Sequence, residues 1–306
     1  MLKKGNISAF LFLAVVFINI QACSDQKENN ETSKEEWVSI FNGRDLTGWD
    51  IKIKDHPLNE NYKNTFRIED SMIRVSYSDY KKFNNKFGHL FTQAPYSYYK
   101  LKLEYRFVGN NVADAPEHCI ENSGIMLHSQ SAKSMELHQD FPVSLEFLLL
   151  SGNRKDAIPT GSVVTLGTFI DYNGKPNTEH IIKSNSKTYF KNEWVSGVAE
   201  VYGDSLVRHI INDDTVLIYT QPKIGDGFVA GMSTWTFAHI MDSTVWLNKA
   251  NTPLKEGYIA LQAESQPIDF RKIELLNLVG CTDQKANNYK DYYIKSDNSQ
   301  CKYSNE

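Results

Sequence analysis

The chain has few cysteines and lacks the short motifs that mark several common enzyme classes. Only four cysteines occur among its 306 residues, and no two of them form a short metal-binding pair. A Gly-rich phosphate loop and a Gly-x-Ser-x-Gly nucleophile motif are both absent from the sequence. The chain therefore carries no signature of a P-loop enzyme or of a serine hydrolase of that type.

An excess of positive charge and a long apolar run are also absent. The formal net charge is −4, which provides no broad basic surface for a phosphate backbone, so nucleic acid is not expected as a partner. The apolar run at residues 7–20 is shorter than the ~20 residues of a membrane-spanning helix. Hydrophobic residues make up 41% of the chain and aromatic residues 12%, which is enough for the core of one large β domain.

The N-terminus has the pattern of a lipoprotein signal peptide. Lys3 and Lys4 precede the apolar run, and Ile20-Gln21-Ala22-Cys23 then resembles a lipobox. Residues 1–23 are therefore predicted to direct export, with Cys23 as the lipidated residue. Residues 24–36 are polar and lack periodicity, which is typical of a disordered tether. We expect an exported protein that is lipid-anchored to a bacterial membrane, on its periplasmic face or at the cell surface.

Two of the remaining cysteines bracket a short polar segment at the C-terminus. Disulfides persist in exported proteins, so Cys281 and Cys301 are predicted to form a bridge that closes residues 280–306. This segment offers no cluster of acids, bases or nucleophiles, which favours a stabilising cap without chemistry. Cys119 has no evident partner in the sequence.

Period-two alternation dominates the central region, residues 37–279, and no stretch sustains a helical stripe beyond a turn or two. Residues 100–107 alternate apolar with charged side chains, and residues 198–202 and 205–211 flank a Gly-Asp turn that predicts a hairpin. Many short strands indicate an all-β, jelly-roll sandwich of two antiparallel sheets. The insert at residues 151–187, rich in turn formers, is predicted to be a loop that edges a cleft.

Two predicted strands each place one titratable side chain among apolar neighbours. His128 follows Gly124-Ile125-Met126-Leu127, and Glu146 lies within Leu145 to Leu150. A carboxylate in such a setting is paired, bound to a ligand, or carries a raised pKa, because desolvation disfavours its charged form. Glu146 is therefore the first candidate for a catalytic group. His128 is the second candidate, and a hydrogen-bonded structural histidine is the alternative.

Several segments in this order resemble the family of 3-keto-disaccharide hydrolases, over residues 37–278. The opening Phe41-Asn42-Gly43 turn with Gly48-Trp49 resembles the family signature. Further matching segments are Gly88-His89-Leu90-Phe91-Thr92, residues 99–107, residues 122–152, residues 257–264 and residues 270–275. The resemblance implies a concanavalin-like jelly roll that cleaves 3-keto-glycosides. Many relatives carry His where this chain has Glu264, so the role of that His is not transferred.

The resemblance also implies a mechanism with three functional groups. The ketone of a 3-keto sugar acidifies the hydrogen on C2, so a base can remove it and the glycosidic oxygen can leave from C1. We expect Glu146 or His128 as the base, Arg106 or a bound cation as the enolate stabiliser, and Glu264 at the leaving group or a hydroxyl. A divalent cation held by His128 and Glu146 is a candidate, and the metal requirement is left open.

A set of polar and aromatic side chains is predicted to bind the sugar on one shared polar surface with Glu146 and His128. Its members are Glu104, Arg106, Asn122, Gln262, Arg271 and Trp194. The structural alternatives are an ion pair between Glu146 and Arg106, and a clamp role for Arg271. Two other functions stay open: a non-catalytic glycan-binding lipoprotein, and an ordinary glycosidase with two carboxylates. Cleavage of keto against unoxidised substrates distinguishes them.

Overall fold

A computed structural model of the chain describes residues 33–152, 157–177, 179–229 and 232–304. The predicted signal peptide, the lipidation of Cys23 and most of the predicted tether lie outside the described residues. Within the described ranges, every helix is too short or too polar to cross a membrane. Export and lipid anchoring therefore stay predictions.

Short strands make up most of the described chain. The first ten are β1 (Val38–Ser39), β2 (Trp49–Ile53), β3 (Phe66–Glu69), β4 (Met72–Val75), β5 (Gly88–Thr92), β6 (Tyr98–Phe107), β7 (Asn122–Ser129), β8 (Ser144–Leu150), β9 (Ser162–Leu166) and β10 (Thr168–Tyr172). The others are β11 (Lys175–Pro176), β12 (Ile181–Ile182), β13 (Val195–Tyr202), β14 (Leu206–Ile211), β15 (Asp214–Ile224), β16 (Phe228–Val229), β17 (Met232–Ser233), β18 (Tyr258–Ala263), β19 (Ile268–Asn277), β20 (Val279–Gly280) and β21 (Lys295–Ser296).

Helices are confined to single turns in the described residues. The α-helices are α1 (Thr234–Phe237) and α2 (Thr244–Leu247). The 3₁₀ turns are Tyr62–Asn64, Glu117–Cys119, Ala132–Ser134 and Asn298–Gln300. The absence of a sustained helical stripe in the sequence is thus confirmed for this part of the chain.

Most strands form two antiparallel sheets that face each other, while β16 with β17 and β20 with β21 form separate two-stranded pairs. The large sheet has the order β11-β10-β15-β14-β13-β6-β19-β4-β3, with β1 paired to β19, and the small sheet has the order β12-β9-β8-β7-β18-β5-β2. Between them, the ring of Phe147 stacks on that of His209 at 4.0 Å, and the Tyr105 hydroxyl lies 2.9 Å from Thr160 Oγ1. The all-β jelly-roll sandwich predicted from the sequence is confirmed.

Alternation decides which side chains of β6 enter the core. Leu101, Leu103, Tyr105 and Phe107 are buried, while the charged residues between them face outward. The predicted hairpin at residues 198–211 is also present as β13 and β14. Burial of the apolar face against the opposite sheet, at about 25 cal/mol per Å² of apolar surface, is what holds these strands in register.

The insert at residues 151–187 differs from its prediction as a loop. It contains β9 to β12, which extend both sheets at the same side of the sandwich. Val163 and Ile170 are buried there and belong to the hydrophobic core, so the insert contributes to the sandwich itself. The turn formers in the sequence mark the short connections between these strands rather than one long loop.

The C-terminal segment is closed by a disulfide between Cys281 and Cys301. Within it, β20 pairs with β21, and backbone hydrogen bonds from Ile294 and Lys295 reach Leu278 O. The chain just before β1 contacts this segment, since Lys290 Nζ lies 2.7 Å from Glu36 Oε1 and Ser33 N donates to Asp291. The segment therefore packs against residues 33–36.

Candidate active site

A cleft lies on the outer face of the small sheet. Its cavity has a volume of about 380 Å³, near the lower end of the range for small-molecule sites. The cleft is lined by His118, Asn122, Phe141, Glu146, Leu148, Leu150, Val164, Leu166, His180, Ile181, Phe237, Gln262 and Glu264. Four residues predicted from the sequence meet here: Glu146, Glu264, Gln262 and Asn122.

Glu146 projects from β8 and is 5% exposed. Its side chain leans over β7 at Gly124, where an added Cβ would lie 2.3 Å from Oε1 and 2.7 Å from Cγ. Oε1 has no hydrogen-bond partner among the described residues. Burial raises the pKa of Glu146 well above its usual value, and the charge of Glu264 raises it further. Burial and the neighbouring carboxyl therefore both favour the protonated form of Glu146.

Glu264 lies directly after β18 and is 3% exposed. Burial raises its pKa to about 8, while the thiol of Cys119, which donates to Oε1 at 3.3 Å, opposes that rise. This hydrogen bond favours the charged form of Glu264, and Glu146 makes no such bond through its Oε1 among the described residues. Glu146 and Glu264 thus form one buried acid pair whose surroundings differ.

Two amide side chains complete the polar part of the cleft. Gln262 is 1% exposed, and neither its Nε2 nor its Oε1 has a partner among the described residues. Asn122 Nδ2 donates to the His118 carbonyl oxygen at 2.8 Å, and its Oδ1 has no described partner. Buried polar atoms of this kind are costly unless a ligand or water satisfies them. They indicate a site shaped for a hydroxylated ligand.

Three side chains beside the cleft are arranged so that they can hold a cation. One ligand atom each of His118, Cys119 and Glu264 lies within 4.8 Å of the others, the one such group among the described residues. Nitrogen, sulfur and oxygen together suit a zinc-like ion better than Ca²⁺ or Mg²⁺. Burial and the neighbouring Glu264 carboxyl raise the pKa of the Cys119 thiol, so it is neutral when it donates to Glu264.

Aromatic side chains form one wall of the cleft. The rings of Phe141 and Phe237 stack with centroids 5.6 Å apart, and His180 meets Phe237 edge-on. Asp140, which is 4% exposed, holds the two segments together, since its carboxylate lies 2.7 Å from His239 Nδ1 and 2.5 Å from Lys54 Nζ. The buried Asp140 carboxylate thus attaches the wall to the sandwich.

His128 does not join Glu146, and the predicted cation site between them is wrong. The register of β7 with β18 shifts beside His128, whose φ is +48°, so a bulge turns this residue away from the outer face. Its Nε2 lies 2.9 Å from the Gly203 carbonyl oxygen in the β13–β14 turn. Burial lowers the pKa of His128 to about 4, as expected for the structural alternative.

The predicted shared polar surface is also wrong for four residues. Glu104, Arg106 and Arg271 project from the outer face of the large sheet, on the opposite side of the sandwich from the cleft. Arg271 Nε and Lys272 Nζ each lie 2.6 Å from Glu104, while Arg106 binds Asp269 at 2.7 Å. The ring centroid of Trp194 lies 3.7 Å from Arg271 Cζ and 4.5 Å from Arg106 Cζ, so both guanidinium groups contact this ring. These residues form a structural network.

The sequence did not reveal His118 and His180 in the cleft, Cys119 beside it, or the buried His89 on the neighbouring strand. His89 lies opposite Gln262 on β5, is fully buried, and has a pKa lowered to about 3 by burial. Its two ring nitrogens have no partner among the described residues. The one available signal was its place within the Gly88 to Thr92 segment. His118 and His180 lie in irregular connections, where periodicity carries no information.

Comparison with known proteins adds four findings. A family model described as 3-keto-alpha-glucoside-1,2-lyase-like domain matches residues 36–276. A proposed glycosyl hydrolase from Parabacteroides distasonis is 16% identical with a TM-score of 0.44, and the match covers 79% of this chain and 93% of that chain. The carbohydrate-binding module CBM66 from Bacillus subtilis is 10% identical with a TM-score of 0.38, covering 76% and 96%. No curated protein matches the chain.

Proposed function

The chain belongs to the family of 3-keto-alpha-glucoside-1,2-lyase-like domains, and on that premise we propose that its cleft cleaves 3-keto-glycosides by elimination. Family membership makes it a carbohydrate-active protein of the glycoside-acting kind. The observation that carries the finer proposal is the buried pair of Glu146 and Glu264, whose pKa values are both raised. Such a pair supplies one acid and one base near neutral pH.

In the proposed first step, the Glu264 carboxylate removes the proton from C2 of the keto sugar. The electron pair of that C–H bond forms the C1–C2 double bond, and the C1–O bond breaks with its electrons on the glycosidic oxygen. Protonated Glu146 gives its proton to that oxygen, which leaves as an alcohol. The products are the alcohol and an unsaturated keto sugar, to which water adds in a later step.

Gln262 is the proposed partner of the ketone oxygen. Its Nε2 donor is buried and free of described partners, so it can bond to the oxygen as negative charge develops there. This assignment replaces Arg106, which lies on the other sheet. A cation held by His118, Cys119 and Glu264 would polarise an adjacent oxygen, and no step in this scheme depends on it.

The first experiment compares 3-keto and unoxidised forms of the same α- and β-glucosides, with the purified domain, with and without chelator. Cleavage of the keto forms alone supports the proposal. Loss of that activity on chelation, with recovery on zinc addition, would assign a role to the cation-capable group. Cleavage of unoxidised substrates would instead favour the glycosidase with two carboxylates. Binding without cleavage of either form would favour a glycan-binding protein.

Substrates with different leaving groups distinguish the proposed general acid, Glu146, from the proposed base, Glu264. Glu146→Gln is expected to lower the rate with a keto-glucoside of an alkyl alcohol by about 10²-fold or more, the usual contribution of a general acid. With a 4-nitrophenyl leaving group, which departs without protonation, the loss should be small. Glu264→Gln is expected to lose activity equally with both substrates. Equal losses for both variants would contradict the assignment of roles.

A further inference from the structure

The polar groups of the cleft are concentrated on one side of the small sheet. Gln262 and Glu264 come from β18 and the residue after it, and Asn122 comes from the neighbouring strand β7. Glu146 belongs to β8, but its carboxyl leans over Gly124 of β7. The acid pair and both amides therefore cover β7 and β18. The keto sugar, which carries several hydroxyls, fits this side.

The other side of the cleft is lined by aliphatic side chains. Leu148 and Leu150 on β8, Val164 and Leu166 on β9, and Ile181 on β12 all face it. Register explains their common direction, because Ile181 pairs with Val164, and Val164 pairs with Glu146 of the cleft face. The strand order β12-β9-β8 makes these residues a continuous apolar floor that leads away from the acid pair to the sheet edge.

Ile181 shows that this floor extends to the rim. Its side chain is 46% exposed although it lies on the cleft face of an edge strand. Among the residues that line this end, His180 contributes the one polar group, and burial lowers its pKa, so the ring is neutral. A second sugar on this floor would bury hydroxyls against aliphatic side chains, and unsatisfied buried hydroxyls cost binding.

From this segregation we propose that the cleft selects keto-glycosides with an apolar aglycone, an alkyl or aryl alcohol, over keto-disaccharides. The inference rests on the proposed function, because it assigns the leaving alcohol to the aliphatic side of the same cleft. Glu146, the strand neighbour of Leu148, lies at the boundary between the two sides and so can protonate the departing oxygen. The aglycone remains on the apolar floor while the sugar stays with Gln262 and Glu264.

The test uses two substrates with alkoxide leaving groups of similar chemistry. The 3-keto derivative of hexyl glucoside is compared with a 3-keto-disaccharide of the same anomeric configuration, in both anomeric series. We expect kcat/KM for the hexyl glycoside to be at least about tenfold higher, in the range that a well-placed apolar contact provides. A preference for the disaccharide, or equal values, would overturn the inference and leave the proposed function standing.

A substitution on the apolar floor tests whether this surface causes the preference for the hexyl glycoside. Ile181→Asn should lower kcat/KM for the hexyl glycoside about fivefold and should not lower the disaccharide value, since it removes apolar contact with the aglycone and offers a polar group to the hydroxyls of a second sugar. Its matched control is Ile218→Asn on β15, a residue of similar exposure at 44% that does not line the cleft. Equal effects of the two variants would contradict the assigned surface.

Binding distinguishes failure of the inference from failure of the proposed function. If neither keto substrate is cleaved, the elimination is wrong, and calorimetry with unoxidised hexyl glucoside and a matching disaccharide still probes the floor. Tighter binding of the hexyl glucoside, weakened by Ile181→Asn, would then support an apolar-group site. Binding of neither compound, or preferential binding of the disaccharide, would overturn the inference.

Discussion

Gly124 controls where the Glu146 carboxyl lies. A methyl group at this position would lie 2.3 Å from Oε1, so Gly124→Ala must rotate the carboxyl out of its place over β7. We expect kcat to fall at least about tenfold, because a displacement of about 1 Å at a catalytic group has large effects. Steady-state kinetics and a urea unfolding curve measure activity and stability separately.

Gly197→Ala is the matched control, since an added Cβ there meets nothing closer than 3.9 Å. Both glycines lie within strands, so the general effect of a glycine substitution is shared. A Gly124→Ala protein with unchanged kcat would contradict the place given to Glu146 in the chemistry.

Glu264 is expected to make stability depend on pH. Its folded-state pKa of about 8 is raised above the usual 4.5 by burial, so the folded protein holds a proton that the unfolded chain releases. The stability linked to that proton is complete below about pH 4.5 and is lost as the pH rises through about 8. Relative to the parent, Glu264→Gln should gain unfolding free energy across this window, by at most about 1.4 kcal/mol per pH unit.

Urea unfolding at pH 5, 6.5 and 8 measures that difference. Buried His89 and His128, whose lowered pKa values act in the opposite direction, contribute equally to both proteins and cancel. Glu104→Gln is the control, because the ion pairs of Glu104 lower its pKa and move its pH window below 4.5. A difference that stays constant with pH would show that Glu264 is ionised in the folded cleft.

At the level of elements, the outer faces of the two sheets carry different groups of side chains. The small sheet carries the cleft, whereas the large sheet carries the ion pairs around Asp269. Asp269 is fully buried and accepts from Arg74 at 2.6 Å and from Arg106 at 2.7 Å. The charged side chains that alternate along β6 and β19 are therefore satisfied by one another and not by a ligand.

Asp269→Asn should destabilise the protein and leave the cleft intact. We expect a loss of about 2 kcal/mol, less than for a wholly buried pair because both arginines are partly exposed. Glu104→Gln, in a more exposed pair, should cost less than about 1 kcal/mol. Denaturant unfolding checks both values. A fall in kcat/KM at a temperature where Asp269→Asn is fully folded would mean that this network serves the site.

At the scale of the whole molecule, the hydrophobic core and the candidate active site lie on opposite faces of the small sheet. The core lies between the sheets, where Phe147 packs on His209, while the reverse side of the same strand β8 presents Glu146 to the cleft. Because side chains alternate along a strand, β8 contributes both to the core and to the cleft. The disulfide-closed segment after β19 contacts Glu36, and none of its described residues lines the cleft. Its role as a stabilising cap stays a prediction.

The fold class and the leading catalytic candidate, Glu146, were both predictable from the sequence alone. Alternation in residues 100–107 and 198–211 reported buried faces directly, because each side chain's direction in a strand follows from its position. Glu146 was identifiable because burying a charged carboxylate between leucines costs free energy unless it is paired or its pKa is raised. The expected reaction came from a different source, the segments that resemble the 3-keto-disaccharide hydrolase family and their order along the chain.

The tertiary structure alone decided which polar residues meet. Strand order assigned Arg106 and Arg271 to the large sheet and Glu146 to the small one, and a single bulge at His128 turned that residue away. Cys119 and Glu264, separated by 145 residues, are joined only by the closure of the sheet. Strand pairing is a property of the whole chain, since each pairing depends on which apolar faces the other strands have already covered.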